Sequence, residues 1–375
     1  MAQINGTCDE KFAELKSVLS DNIDSGADLG ASVAVIHRGE IVVDICGGHS
    51  DVEQTKPWTE ETITNVFSST KTMAALCALV LVERGELDVH APVAQYWPEF
   101  AAAGKAEIPV RDLMSHTSGL AGWEEPMQVT DLYDWDLCNR RLANQTPWWE
   151  PGTASGYHAF TQGYLIGEVV RRISGRSLGR VFADEIAGPL GADFHIGLDA
   201  KHDPRVSLVV PPPNPLPLSE DETSPSYKTF MNPPLSPLFP HDSRWRRAEI
   251  PAANGHGNAR AVVLAQAAVT HGGEFNGVRL LSPKTIDLIF EEQSNGKDIV
   301  LGMPFRFGIG YGLPNESVPY LPDDKVCYWG GWGGSLVIND VERELNFAYM
   351  MNKMSDGTVG DPRGEGLVNA MYRAL

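Results

Sequence analysis

From Met73 to Val82 the chain runs through ten residues without a charged side chain, Met-Ala-Ala-Leu-Cys-Ala-Leu-Val-Leu-Val. The run reads as a helix over 69–84, stopped by Gly85, and a helix that is apolar nearly all round has no face to give to water. It belongs at the centre of a protein with other elements packed on every side, which calls for a fold of several layers. At 375 residues, 42% hydrophobic and 21% charged, the chain can supply them.

The surrounding pattern indicates what those layers are. Residues 9–25 read as an amphipathic helix with Phe12, Leu15, Val18 and Leu19 on one side. β-Branched runs at 31–36 and 41–45 flank a turn at Arg38-Gly39, a hairpin signature. Further helices are expected near 110–116, 131–143, 160–173, 178–187, 258–271, 283–291 and 361–374, and short strands at 307–312, 326–329, 335–338 and 345–350. Strands at both ends and helices between them predict an α/β (α+β) fold. One antiparallel sheet is built from both termini, is flanked by terminal helices and carries an inserted helical domain. The expected division is 1–67 with 255–375 for the sheet domain and 68–254 for the mainly helical one. Within the latter, 204–251 is crowded with proline, which opposes regular helix and internal strand. Tyr227, Phe230, Met231, Leu238, Phe239 and Trp245 make it too apolar for a free linker, so it is expected to be an ordered lid or substrate wall.

A formal net charge of −19 argues against nucleic acid or an anionic membrane as partner. Five cysteines (Cys8, Cys46, Cys77, Cys138 and Cys327), widely spaced and without a C-x-x-C pair, read as reduced thiols rather than a disulfide framework or zinc site. The first residues have neither a basic nor an apolar leader segment, and no apolar run reaches membrane-spanning length. The expectation is a cytoplasmic protein with no metal and no cofactor.

The central helix opens on Ser68-Ser69-Thr70-Lys71. A serine and a lysine three apart share a helix face, and the helix N-terminus adds positive potential there. A lysine desolvated at that position loses its proton more easily and can help deprotonate the serine. The spacing alone is weak, since about one S-x-x-K arises by chance in a chain of this length. A second copy, Ser294 to Lys297, lies in a polar stretch that reads as a surface loop. Ser68 is otherwise an ordinary helix cap.

A serine–lysine pair also needs a proton shuttle and an oxyanion site. Tyr157, in the loop Thr153-Ala154-Ser155-Gly156-Tyr157-His158-Ala159 before a helix, either points its phenol into a cleft beside Lys71 or packs in the core. The run Tyr328-Trp329-Gly330-Gly331-Trp332-Gly333-Gly334-Ser335 either lets a substrate approach a strand backbone or marks a bulge. His158 either lines the cleft or packs. Gly175-Arg176-Ser177-Leu178-Gly179 matches the G-x-S-x-G elbow, but a helix rather than a strand is expected before it, so Ser177 is expected to cap the next helix.

Ser68-x-x-Lys71, then Tyr157, then Trp329-Gly330-Gly331, in that order, resemble the serine β-lactamase and penicillin-binding-protein superfamily. Within it the chain is most similar to the class C β-lactamase-like carboxylesterases, the family VIII esterases. Ile108 to Leu120 and Asn254 to Arg260 extend the likeness, which covers about residues 10–375. The resemblance implies Ser68 as nucleophile, Lys71 and Tyr157 as shared base, and the N–H groups of Ser68 and Trp332 as oxyanion hole. Trp329, Gly330, Gly331 and His158 would contribute to substrate binding. Two departures narrow the substrate. Ala159 stands where class C β-lactamases carry an amide-binding asparagine, and Trp329 where they carry a cation for a carboxylate. A small, neutral, apolar acyl ester is expected, with acyl transfer to a natural-product alcohol as the alternative. An inactive binding homologue is a third reading, and β-lactamase or D-peptidase activity is expected to be weak.

Overall fold

The structure, a computed structural model, describes residues 1–217, 219–357 and 360–375. Its main sheet has six strands: β1 (Ile4–Cys8), β2 (Gly30–His37), β3 (Glu40–Gly48), β4 (Val326–Gly330), β5 (Leu336–Asp340) and β6 (Leu345–Met351). They lie in the order β1-β3-β2-β6-β5-β4, every neighbouring pair antiparallel. The two halves of the chain meet where β2 pairs with β6, Ala34 opposite Ala348. Between β2 and β3, Arg38 and Gly39 both take positive φ (52° and 85°), the backbone a two-residue hairpin needs.

Both faces of the sheet are covered, which is why its strands read as nearly continuous apolar runs. Val33 and Val35 of β2 join Leu15, Leu19, Leu367 and Met371 of the terminal helices Glu14–Asp24 and Pro362–Arg373. Ala34 and Ile36, pointing the other way, join the core around the central helix. The helix Ala259–Thr270 lies directly on that second face against β2, β5 and β6.

The central helix runs Lys71–Glu83 after a 3₁₀ turn at Phe67–Thr70. All its residues from Lys71 to Leu81 are buried. Thr161–Ser174, Leu178–Phe182, Ala259–Thr270 and Pro283–Ile289 pack around it.

Several elements differ from expectation. β1 pairs with the edge of the sheet although Ile4-Asn5-Gly6-Thr7-Cys8 carries little hydrophobic signal, because an edge strand needs only its backbone groups. Ser294–Lys297, expected as a loop, is a strand paired with Pro304–Phe307. The strand expected over 307–312 ends at Phe307. Gly310 there takes φ 84° and passes so close to the central helix that a Cβ would come within 2.7 Å of Ala75 Cβ. The helix expected over 178–187 is Leu178–Phe182 followed by a π turn at Ala183–Ala187. The proline-rich segment, whose residue 218 lies outside the described residues, forms two short helices, Pro225–Met231 and Ser243–Arg247. Pro225 occupies the first turn of its helix, where no N–H is needed. Trp245, Phe230 and Phe239 are buried against the body. Among the described residues no helix is long and apolar enough to cross a membrane.

Leu79, fully buried mid-way along the central helix, should cost about 2–5 kcal/mol when cut to alanine. Urea unfolding of Leu79→Ala against the parent checks this; an unchanged midpoint would mean that the helix is not the packing centre.

Candidate active site

Ser68 lies in the 3₁₀ turn that leads into the central helix, and neighbouring segments pin this turn from three sides. Val66 N–H donates to Gly255 O (2.9 Å) and Gly255 N–H to Thr70 Oγ1 (2.8 Å). Ser335, at the start of β5, donates from its hydroxyl to Val66 O (2.9 Å) and stands 2.9 Å from Ser69 Oγ. Phe67 takes φ 44°, a conformation unfavourable for a bulky side chain and held only because the surroundings fix it.

One helical turn on, Lys71 reaches back beneath Ser68. Its Nζ is 3.2 Å from Ser68 Oγ and 2.9 Å from Tyr157 OH. It donates to two backbone carbonyls, Ala159 O and Ala252 O, each at 2.9 Å. The Ala252 carbonyl is set by a turn that Asn254 ties together: Asn254 Oδ1 accepts from Ile250 N–H, and its amide donates to Trp245 O (2.8 Å) and Ala248 O (2.6 Å). Lys71 is 1% exposed and has no carboxylate partner among the described residues; burial holds its pKa well below the usual lysine range. A neutral amine has two N–H groups and one lone pair. The two carbonyls take the N–H groups and leave the lone pair facing the hydroxyls of Tyr157 and Ser68.

Tyr157 OH is hydrogen-bonded to Ser68 Oγ. Burial pushes the phenol pKa up, opposed by that hydrogen bond, so the resting group is a neutral phenol. Its ring rests on an aromatic bed. His116 lies 5.1 Å away and Trp329 5.9 Å, and these two are stacked on each other at 5.5 Å. Trp329, expected at the substrate surface, is instead 2% exposed behind Tyr157 among Phe305, Phe307 and His116. His158 also packs. It is fully buried, with Nε2 2.8 Å from Ser118 Oγ and Nδ1 2.6 Å from Gly156 O, and burial lowers its pKa to about 3. Its backbone N–H donates to His116 Nδ1 (3.0 Å), so both histidines serve to seat Tyr157.

β4 ends at Gly330 beside the turn that carries Ser68. A Cβ on Gly331 would collide with Val66 O and Ser335 Oγ. Gly331 thus admits the Ser68 turn to the strand end. The following turn carries Trp332 and is held from the far side by Arg363, which donates to Gly333 O (2.6 Å) and pairs with the buried carboxylates of Asp28 and Asp361. Among the described residues neither Ser68 N–H, in the first helical turn, nor Trp332 N–H has a backbone acceptor.

Above Ser68 and Tyr157 is a cavity of about 40 Å³, room for roughly three waters. Its walls are Phe67, Ala159, Phe160, Ala253, Leu301 and Trp332, closed by Leu216, Phe230 and Leu235 from the proline-rich segment. None of these side chains is charged. Sequence reasoning missed the two carbonyls that hold Lys71 and most of this wall; only the apolar content of 204–251 hinted at it. Ser177 caps its helix and donates to Glu249 Oε1 (2.6 Å), after a helix rather than a strand, so it forms no elbow. Ser294 lies on its separate strand.

The family model described as Beta-lactamase matches residues 16–369. The chain belongs to the beta-lactamase family. A solved structure described as a family VIII carboxylesterase is similar over all of both chains, with 40% identity and a TM-score of 0.94. A penicillin-binding protein homolog from Caulobacter crescentus is similar over the same extent at 37% identity, TM-score 0.94. The curated protein Esterase/beta-lactamase LipL of Mycobacterium tuberculosis is 32% identical over 365 residues, 94% of this chain and 83% of its own. The mixed fold, with its antiparallel sheet and many helices, is that of these family members.

Because Gly331 has no room for a side chain, Gly331→Ala should separate the strand end from the Ser68 turn. Ester turnover should fall at least about 10-fold with a lower melting temperature; wild-type turnover in the purified variant would show that the contact is dispensable.

Proposed function

We propose that this chain is a carboxylesterase that cleaves neutral esters of small apolar acyl groups through a Ser68 acyl-enzyme. The observation that carries the reading is the closed contact of Ser68, Tyr157 and Lys71 beneath an uncharged apolar cavity. An ester carbonyl entering the cavity meets Ser68 Oγ. As the bond forms, the serine proton passes to Tyr157 oxygen while the phenol proton passes to Lys71 Nζ. The carbonyl oxygen takes up negative charge between the N–H groups of Ser68 and Trp332. The proton then returns through Tyr157 to the departing alkoxide, and water repeats the sequence in reverse to free the acid. The relay titrates as a unit, with the amine as its resting base.

The pocket also sets the substrate. With no cation on its walls, a carboxylate-bearing lactam finds no counter-ion, and Ala159 offers only a methyl group where an amide would need a partner. The small cavity favours short acyl chains, with Leu216, Phe230 and Leu235 limiting longer ones.

The first test is hydrolysis of p-nitrophenyl butyrate by wild type and Ser68→Ala side by side. Turnover should be lost at least about 10³-fold in the variant. Retention would remove Ser68 as nucleophile, and inactivity of both with transfer to added alcohols would favour a dedicated acyltransferase. Efficient cephalosporin hydrolysis would contradict the substrate reading.

A second test is the pH profile. The amine accepts a proton only when unprotonated, so kcat/KM should rise with pH through the Lys71 pKa. That pKa is lowered, so the rise should be complete well below an ordinary lysine's value of about 10.4. A profile still climbing past pH 10 would contradict an amine base. Lys71→Arg, which cannot give up its proton, should be inactive at every pH.

A further inference from the structure

One buried carboxylate takes no part in the chemistry above yet holds the backbone of Tyr157 directly. Asp298 is fully buried. Its Oδ1 accepts three backbone N–H groups: Tyr157 (3.0 Å), Val300 (3.0 Å) and Leu301 (2.9 Å). Its Oδ2 has no hydrogen-bond partner among the described residues. The backbone of the same residue closes a tight loop, Asp298 N–H to Met303 O (3.0 Å) and Gly302 N–H to Asp298 O (2.8 Å). The next residue adds a second tie: Ile299 N–H donates to Ser155 O (2.9 Å), two residues before the tyrosine.

We infer that Asp298 is a positioning residue, which locks the Tyr157 backbone to the 298–303 loop and thereby couples the proton carrier to the acyl-pocket wall at Leu301. The inference rests on the proposed role of Tyr157 as proton carrier. Three donors converging on one oxygen fix the position of the Tyr157 main chain relative to Val300 and Leu301. Leu301 lines the cavity over Ser68. An acyl chain pressing on Leu301 therefore bears on the same oxygen that holds Tyr157. A single acceptor oxygen is sufficient for this because all three bonds end on Oδ1, and an asparagine carbonyl oxygen offers the same acceptor in the same place. Without an acceptor, three buried N–H groups lose their partner, and the loop must shift to find others. A displacement of about 1 Å at a reacting group is enough for a 10²-fold loss.

The experiment measures kcat/KM for p-nitrophenyl butyrate in Asp298→Ala, Asp298→Asn, Tyr157→Phe and the Tyr157→Phe/Asp298→Ala double variant, with melting temperatures for each. Asp298→Ala should lose about 10²-fold, Asp298→Asn should recover most of that loss, and Asp298→Ala should cost nothing further in the Tyr157→Phe background. An equal loss added to Tyr157→Phe would show that Asp298 does not act through the tyrosine, and a folded Asp298→Asn as poor as Asp298→Ala would overturn the acceptor argument. Should Asp298→Ala not fold, Asp298→Asn decides alone: activity near the parent supports the inference and its loss overturns it. Wild-type turnover in Tyr157→Phe would sink the proton-carrier reading instead, whereas an impaired Tyr157→Phe beside an unimpaired Asp298→Ala would sink only this inference.

Discussion

A lysine amine buried away from water, with no carboxylate among the described residues to balance it, is the constraint around which the rest of the site is arranged. Charging it there would cost several kcal/mol, and the protein surrounds it with groups suited to a neutral amine. Two peptide carbonyls, from Ala159 and Ala252, fix the direction of its N–H groups. Its remaining neighbours, Ser68 and Tyr157, are hydroxyls that can give up a proton. The same dryness raises the phenol's pKa and keeps the two neighbouring histidines neutral. Burial therefore suppresses charge in every titratable group of the cluster, leaving proton position as the variable on which chemistry can act.

Holding that cluster together requires segments far apart in sequence to approach more closely than side chains usually permit. Small residues make this possible. Gly331 lets β4 meet the Ser68 turn, and a Cβ on Gly163 would run into the backbone of Ala252, the residue whose carbonyl takes Lys71. Gly310 passes under the central helix in the same way. Polar side chains then fasten each approach: Ser335 and Thr70 at the Ser68 turn, Asn254 on the Ala252 turn and Arg363 on the Trp332 turn.

Much of this was legible before the structure. The central helix declared itself by composition, and the sheet by β-branched runs near both ends. Ser68, Lys71 and Tyr157 were picked out by spacing, order and resemblance, and the structure brings them into contact. What escaped is what side-chain chemistry does not encode. A backbone carbonyl is the same at every position, so nothing marks Ala159 or Ala252 as partners of Lys71. Edge pairing by β1 and by Ser294–Lys297 uses backbone groups under polar side chains, and so leaves no alternation to read. Trp329 was placed beside the substrate because related β-lactamases carry a cation at that position, and His158 was left between cleft and core. Their rings point instead into the bed under Tyr157, a direction that depends on strand pleat and loop geometry.

The β2–β6 pairing has a consequence for how the enzyme comes into being. It joins residues more than three hundred positions apart, and the proposed oxyanion turn lies on the later side of that join. Bringing such distant strands together demands a large loss of chain entropy before any pairing repays it, which makes folding slow and leaves apolar strands waiting for partners. β2 and β3, rich in valine and isoleucine, are therefore the part of the nascent protein most in need of protection from aggregation. Ser68, Lys71 and Tyr157 are already present in the chain by then, but they lack the turn that carries Trp332. Catalytic competence should thus appear late and all at once, when the second half of the sheet closes on the first.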